Sequence, residues 1–222
     1  MTSEAAQWRI PAGTEETSAI FEPPLRDDTG IVFVCAHGAG GYMRDRSMEA
    51  LAETLRGRGI GVVRFNFLYR EHGSGRPDPM PRLRQCMTAV IDHTRQTLNP
   101  RTTLIGGRSM GGRAASVLAA DGLACDGLLL FAYPLHPAGK PEKLRDAHLP
   151  RIEMPVLCFN GTRDTLCRRD LMERAVGALG GWEMHWLDGA DHSFHVLSST
   201  GRTDAEVLAE VGNVTACWIA RL

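Results

Sequence analysis

"LIGGRSMGGRAAS", Leu104 to Ser116, sets one serine, Ser109, between two pairs of glycines, with an apolar run before it and an alanine-rich run behind it. Glycines at an element end signal an unusual backbone angle or a neighbour that must come very close. Gly107-Arg108-Ser109-Met110-Gly111 fits G-x-S-x-G, and context gives that short pattern its weight: "TTLIGG" reads as a strand, and about Met110 to Ala120 reads as a helix. Ser109 then falls on a sharp strand-to-helix turn that lifts its Oγ clear of the C-terminal edge of a sheet. A serine that only caps a helix needs no such glycines. A phosphate-binding loop needs Lys and Ser/Thr where Arg113 and Ala114 stand.

Outward from this turn, short apolar runs alternate with longer helical patterns, which predicts an α/β fold: a mostly parallel twisted sheet with helices on both faces. Short strands are expected near Trp8–Pro11 and Ala19–Phe21. "IVFVCAH", 31–37, has the unbroken apolar character of a strand buried on both faces. A helix over about Arg46–Arg58 carries Met48, Leu51, Ala52 and Leu55 on one stripe and feeds a strand at 61–67. "LYREHGSGRPDPMP" reads as loop, and a helix of about Arg82–Leu98 stops at Asn99-Pro100. Strands at 127–133, 155–161 and 182–188 follow, with helices over about Arg168–Leu179 and Asp204–Ile219. The gap between the strands at 127–133 and 155–161 holds at most one short helix, near Glu142–Ala147, and has no room for a cap domain. Without a cap there is little apolar wall, so short or compact acyl groups are expected.

With 222 residues and 43% apolar content, the chain can bury a core as one domain, 1–222. A formal charge of −1 gives no electrostatic case for nucleic acid. Lys140 and Lys143 are the only lysines among 25 basic residues, which reads as codon bias. No signal-peptide pattern opens the sequence, and no run of about 18 apolar residues occurs, so no membrane association is expected. Cys35, Cys86, Cys125, Cys158, Cys167 and Cys217 form no C-x-x-C pair and suit a reducing, cytoplasmic setting. The expected partner is a small-molecule substrate; the oligomeric state is not legible.

A serine hydroxyl needs a base to take its proton, and the base needs a carboxylate to orient it. The sequence supplies both downstream. "PVLCFNGTRD" ends a predicted strand with Asp164, and "LDGADHSFH" follows the last predicted strand with His192. Asp164 could instead make an Asx turn or helix cap. His192 competes with His185 and His195, which with Asp188 and Asp191 could suggest a metal site, but His185 lies inside a strand and no second cluster completes a ligand set. No metal is expected. "VCAHGAGGYM" ends the first long strand in a glycine loop able to aim a backbone N–H at a neighbouring oxyanion, with Met110 supplying a second. A dinucleotide fingerprint fails there, because Met43 occupies its third glycine position.

Together, HGAGG, GGRSMGG, NGTRD and GADHSF resemble the α/β-hydrolase superfamily. The likeness runs from about Ile31 to Leu222, and is strongest to small cap-less members near the dienelactone hydrolases and the testis-expressed α/β-hydrolase-like proteins. The resemblance implies Ser109 as nucleophile, His192 as general base, Asp164 as its orienting acid, Ala39 and Met110 as oxyanion donors, and no cofactor. True dienelactone hydrolases carry cysteine at the nucleophile position, so their substrate does not carry over. The expected activity is that of a serine hydrolase cleaving an ester-type bond through an acyl-enzyme. The alternatives are a thioesterase or amidase with the same residues, or a catalytically silent interaction module on the same fold.

Overall fold

The computed structural model describes residues 4–222, whose strands form one eight-stranded sheet in the order β1-β2-β4-β3-β5-β6-β7-β8. The strands are β1 (Ala6–Ala12), β2 (Glu15–Glu22), β3 (Ile31–Ala36), β4 (Ile60–Phe65), β5 (Thr102–Arg108), β6 (Gly127–Phe131), β7 (Val156–Gly161) and β8 (Trp182–Leu187). From β4 to β8 neighbours run parallel, and β2 is antiparallel to both of its partners. The central strands are wholly buried because helices cover both faces, so their sequences are apolar without alternation. In β3, Ile31, Phe33 and Cys35 face α1 (Arg46–Arg56) and α6 (Asp204–Ile219), while Val32, Val34 and Ala36 face α3 (Met80–Leu98) and α4 (Met110–Ala120). α5 (Arg169–Val176) joins the second layer.

After β3 the chain moves to one side of the sheet, to β4, then crosses back to β5 on the other side. The C-terminal ends of β3 and β5 therefore meet at the point where strand order reverses, where open α/β sheets form their crevice. The glycine loop and Ser109 lie at those two ends.

Three expectations change. The stretch read as loop from Leu68 opens with a one-turn helix, α2 (Leu68–Glu71), because Phe67, Leu68 and Tyr69 are core residues; the breakers begin only at Gly73. Between β6 and β7 the helix expected near Glu142–Ala147 is absent, and the only helical turn is a 3₁₀ turn at Leu149–Arg151, anchored by buried Leu149. The N-terminal strands are longer than expected, pairing from Ala6↔Phe21 to Ala12↔Glu15 as a hairpin. The absence of a cap between β6 and β7 leaves the crevice open.

Candidate active site

Ser109 sits at φ 48°, ψ −113°, a conformation that L-residues avoid unless the surroundings impose it. Close approach imposes it here: a Cβ on Gly107 (φ +136°) would stand 2.1 Å from the Ala36 carbonyl oxygen, and one on Gly111 would stand 2.6 Å from the same atom. Glycine on either side lets β5 and α4 close onto β3. The Ser109 N–H donates to the Phe131 carbonyl at 2.8 Å, which ties the turn to β6.

The Ser109 hydroxyl lies 2.9 Å from Nε2 of His192, and Nδ1 of His192 lies 2.8 Å from Oδ2 of Asp164. With Nδ1–H donated to the carboxylate, Nε2 is free to accept the serine proton. The Asp164 side chain is fully buried, yet each oxygen has a partner: Oδ1 accepts from the Leu166 N–H at 2.8 Å, and Oδ2 also accepts from Nδ2 of Asn160 at 3.0 Å. Asn160, buried at the end of β7, accepts the Tyr133 N–H at 3.2 Å and donates to the Tyr133 carbonyl at 3.1 Å. It therefore binds the β6 exit loop to Asp164. Sequence reasoning missed Asn160, although an amide four residues before the acid inside an apolar strand is a signal, since a buried amide demands partners.

The His192 loop is held from several sides. Asp191 Oδ1 accepts the N–H groups of Ser193 and His195, and Phe194 takes φ +65°. Nη2 of Arg108 donates to the His192 carbonyl at 2.9 Å, and the guanidinium lies 5.4 Å from the centre of the Phe194 ring.

On the other side stands the loop Gly38–Gly41. His37, fully buried, donates Nδ1–H to the Gly38 carbonyl at 2.7 Å and accepts the Phe67 N–H on Nε2 at 3.1 Å. Burial, the largest influence, pushes its pKa down to about 4, so it stays a neutral staple. The Tyr69 hydroxyl donates to the Ala39 carbonyl at 2.8 Å. Among the described residues, neither the Ala39 nor the Met110 N–H donates to a protein group.

The two histidines that compete with His192 in the sequence lie apart from the site. His195 pairs with Asp204 at 2.9 Å in the exposed lead-in to α6, and His185 on β8 pairs with Glu210 at 2.6 Å. His72 pairs with Glu15 at 2.8 Å, and Arg70 lies over the Tyr42 ring; His72 and Arg76 line a separate cavity. A second serine–histidine bond, Ser116 Oγ to His148 Nε2 at 2.8 Å, joins α4 to the 3₁₀ turn. Ser116 is wholly buried and no carboxylate among the described residues bonds to His148, so that pair serves packing.

Ser109 and His192 open into a cleft of about 460 Å³ walled by the glycine loop, Arg108 and Leu166. It shares Ser47, Arg108 and Ser193 with a neighbouring groove of about 530 Å³ whose lining includes the apolar side chains of Leu51, Phe194 and Leu208. The sequence reading expected little apolar surface near the serine; that groove comes from α1 and α6 rather than from a cap.

Residues 29–220 match the family model described as an alpha/beta hydrolase domain. The chain is similar in structure to a serine hydrolase without lid from Xanthomonas campestris, with 21% identity, a TM-score of 0.78 and coverage of 98% of this chain and 96% of that one. It is similar to an alpha-beta serine hydrolase homologue from Coxiella burnetii, with 23% identity, a TM-score of 0.73 and coverage of 95% and 97%. It is also similar to a dienelactone hydrolase from Anabaena variabilis, with 19% identity, a TM-score of 0.74 and coverage of 98% and 97%. At these identities the likeness is one of fold.

Proposed function

Because the chain belongs to the alpha/beta hydrolase domain family, we propose that it is a serine hydrolase acting as a carboxylesterase on a small-molecule substrate. The observation that carries this reading is the continuous hydrogen-bonded line from Ser109 through His192 to Asp164. In the first step Ser109 Oγ attacks the ester carbonyl while Nε2 of His192 takes its proton. Asp164 stabilises the imidazolium that forms. The tetrahedral oxyanion is met by the N–H groups of Ala39 and Met110, donors that need no rearrangement as charge develops. His192 passes the proton to the departing alcohol, and the acyl group stays on Ser109. Water, deprotonated by the same imidazole, then releases the acid and restores the serine.

The chemistry asks for no cofactor, and six unpaired cysteines support a reducing, cytoplasmic compartment. No helix among the described residues is long and apolar enough to cross a membrane. A panel of matched p-nitrophenyl acetate, thioacetate and acetanilide substrates tests the reading. The ester should be turned over fastest, and Ser109→Ala should abolish turnover. A thioester or anilide preference moves the assignment to the thioesterases or amidases, and turnover that survives Ser109→Ala contradicts it.

A further inference from the structure

Arg108 stands out among the charges around the cleft. It precedes the nucleophile, lines both the cleft and the neighbouring groove, and forms no ion pair among the described residues. Of the five N–H donors of a guanidinium, one bond, from Nη2 to the His192 carbonyl, uses one and leaves four. Burial holds its pKa below the ordinary arginine range, with Cys35 and three aspartates opposing the shift. Those carboxylates are committed elsewhere: Asp164 to His192, Asp191 to the N–H groups of its own loop, and Asp45 to the Tyr42 N–H. Arg46, exposed on the first turn of α1 and lining the same groove, also lacks a carboxylate partner among the described residues, while Asp204 is occupied by His195 and the Val196 N–H. A half-buried cation with no carboxylate in direct contact is costly to maintain, and an incoming anion offsets that cost.

The side on which the anion arrives follows from the chemistry. His192 gives its proton to the leaving oxygen, so the departing alcohol lies on the histidine side of Ser109. Arg108 is bonded to the carbonyl of that same histidine and reaches the groove beside it. We propose that Arg108, with Arg46 lining the same groove, receives a carboxylate on the leaving group, so that the substrates are esters of alcohols or phenols bearing a negative charge. A guanidinium fork meets a carboxylate through two parallel bonds, and the apolar wall of Phe194 and Leu208 receives the body that carries it. The inference deepens the esterase reading and rests on it. The bonds made and broken are those already described: Oγ–acyl forms, the ester C–O bond breaks, and the proton reaches the leaving oxygen through His192.

The test compares two acetyl esters of the same phenol skeleton, 4-acetoxybenzoate and the neutral 4-acetoxybenzamide, using the full chain. Intrinsic reactivity cancels when the ratio of their kcat/KM values in a variant is divided by the ratio in the wild type. Arg108→Gln should lower this ratio by about tenfold or more, mostly through KM, the scale of a charged hydrogen bond. Arg46→Glu, an exposed change that spares the fold, should lower it severalfold, and added salt should shrink the wild-type preference. If Arg108 only props the His192 loop, both esters slow by one factor and the ratio holds, which overturns the proposal. If Arg108→Gln fails to fold, an unchanged ratio in Arg46→Glu overturns it. If neither ester is cleaved, the esterase reading fails separately. Calorimetric titration with 4-hydroxybenzoate then decides: binding weakened by Arg46→Glu sustains the subsite, and no binding ends it.

Discussion

At the scale of single residues, the arrangement separates two histidines three positions apart. His192 touches both Ser109 and Asp164, while His195 turns outward to Asp204, which raises its pKa through that hydrogen bond. His192→Ala should lower kcat by about 10⁴-fold or more, because members of such a unit fail together. His195→Ala should lower it by less than about threefold, since surface pairs contribute little. Steady-state kinetics of the two variants checks this, and the reverse ranking would move the base. That Ser109, Asp164 and His192 would meet was legible because each stands in a short loop directly after an apolar strand. Asn160 and Arg108 were not assigned, because their roles depend on which side chains lie across the sheet edge, and sequence distances of 27 residues to Tyr133 and 84 to His192 do not reveal that.

At the scale of elements, legibility tracked how local the cause is. α4 and α6 begin and end where the sequence reading put them. α6 opens with a full capping box, in which Thr203 and Glu206 satisfy each other's backbone N–H groups, and α4 begins at the glycine-flanked serine. α2 was missed because burial of Leu68 and Tyr69 against the core holds a single helical turn that propensity alone does not hold. The elbow between β5 and α4 is the most sharply constrained junction. Gly107→Ala should destabilise the protein by about 2–4 kcal/mol, combining a strained backbone with a clash against Ala36 that neither strand can relieve. Urea unfolding measures it. A loss below about 0.5 kcal/mol would mean that β3 and β5 are less closely apposed than described.

At the scale of the whole molecule, two neutral histidines make stability depend on pH. Burial lowers His37 from 6.5 to about 4, and burial with nearby Arg113 and Arg151 lowers His148 likewise to about 4. Unfolded, these rings take up protons below about pH 6.5, whereas folded they resist until about pH 4, so the unfolded state binds more protons across that window. Stability should therefore fall as pH drops from 6.5 to 4. His195, whose pKa Asp204 raises, exerts its effect above that window and leaves the slope between pH 6.5 and 4 unchanged. Midpoints of urea unfolding across that range measure the slope. His148→Asn, remote from Ser109, should flatten part of it, and an unchanged slope would show that His148 titrates normally in the fold.

The proposed esterase chemistry requires Ser109 to be an activated nucleophile facing a formed oxyanion site. Reaction with a fluorophosphonate, read by intact-protein and peptide mass spectrometry, tests it without knowledge of the substrate. A serine with a base at 2.9 Å attacks phosphorus, and the tetrahedral adduct places an oxygen against the N–H groups of Ala39 and Met110. The expected result is a single adduct on Ser109, its loss in Ser109→Ala, and labelling slowed by orders of magnitude in Asp164→Asn, where His192 loses the partner that fixes its tautomer. Folded protein that remains unlabelled at Ser109 after prolonged exposure would contradict it.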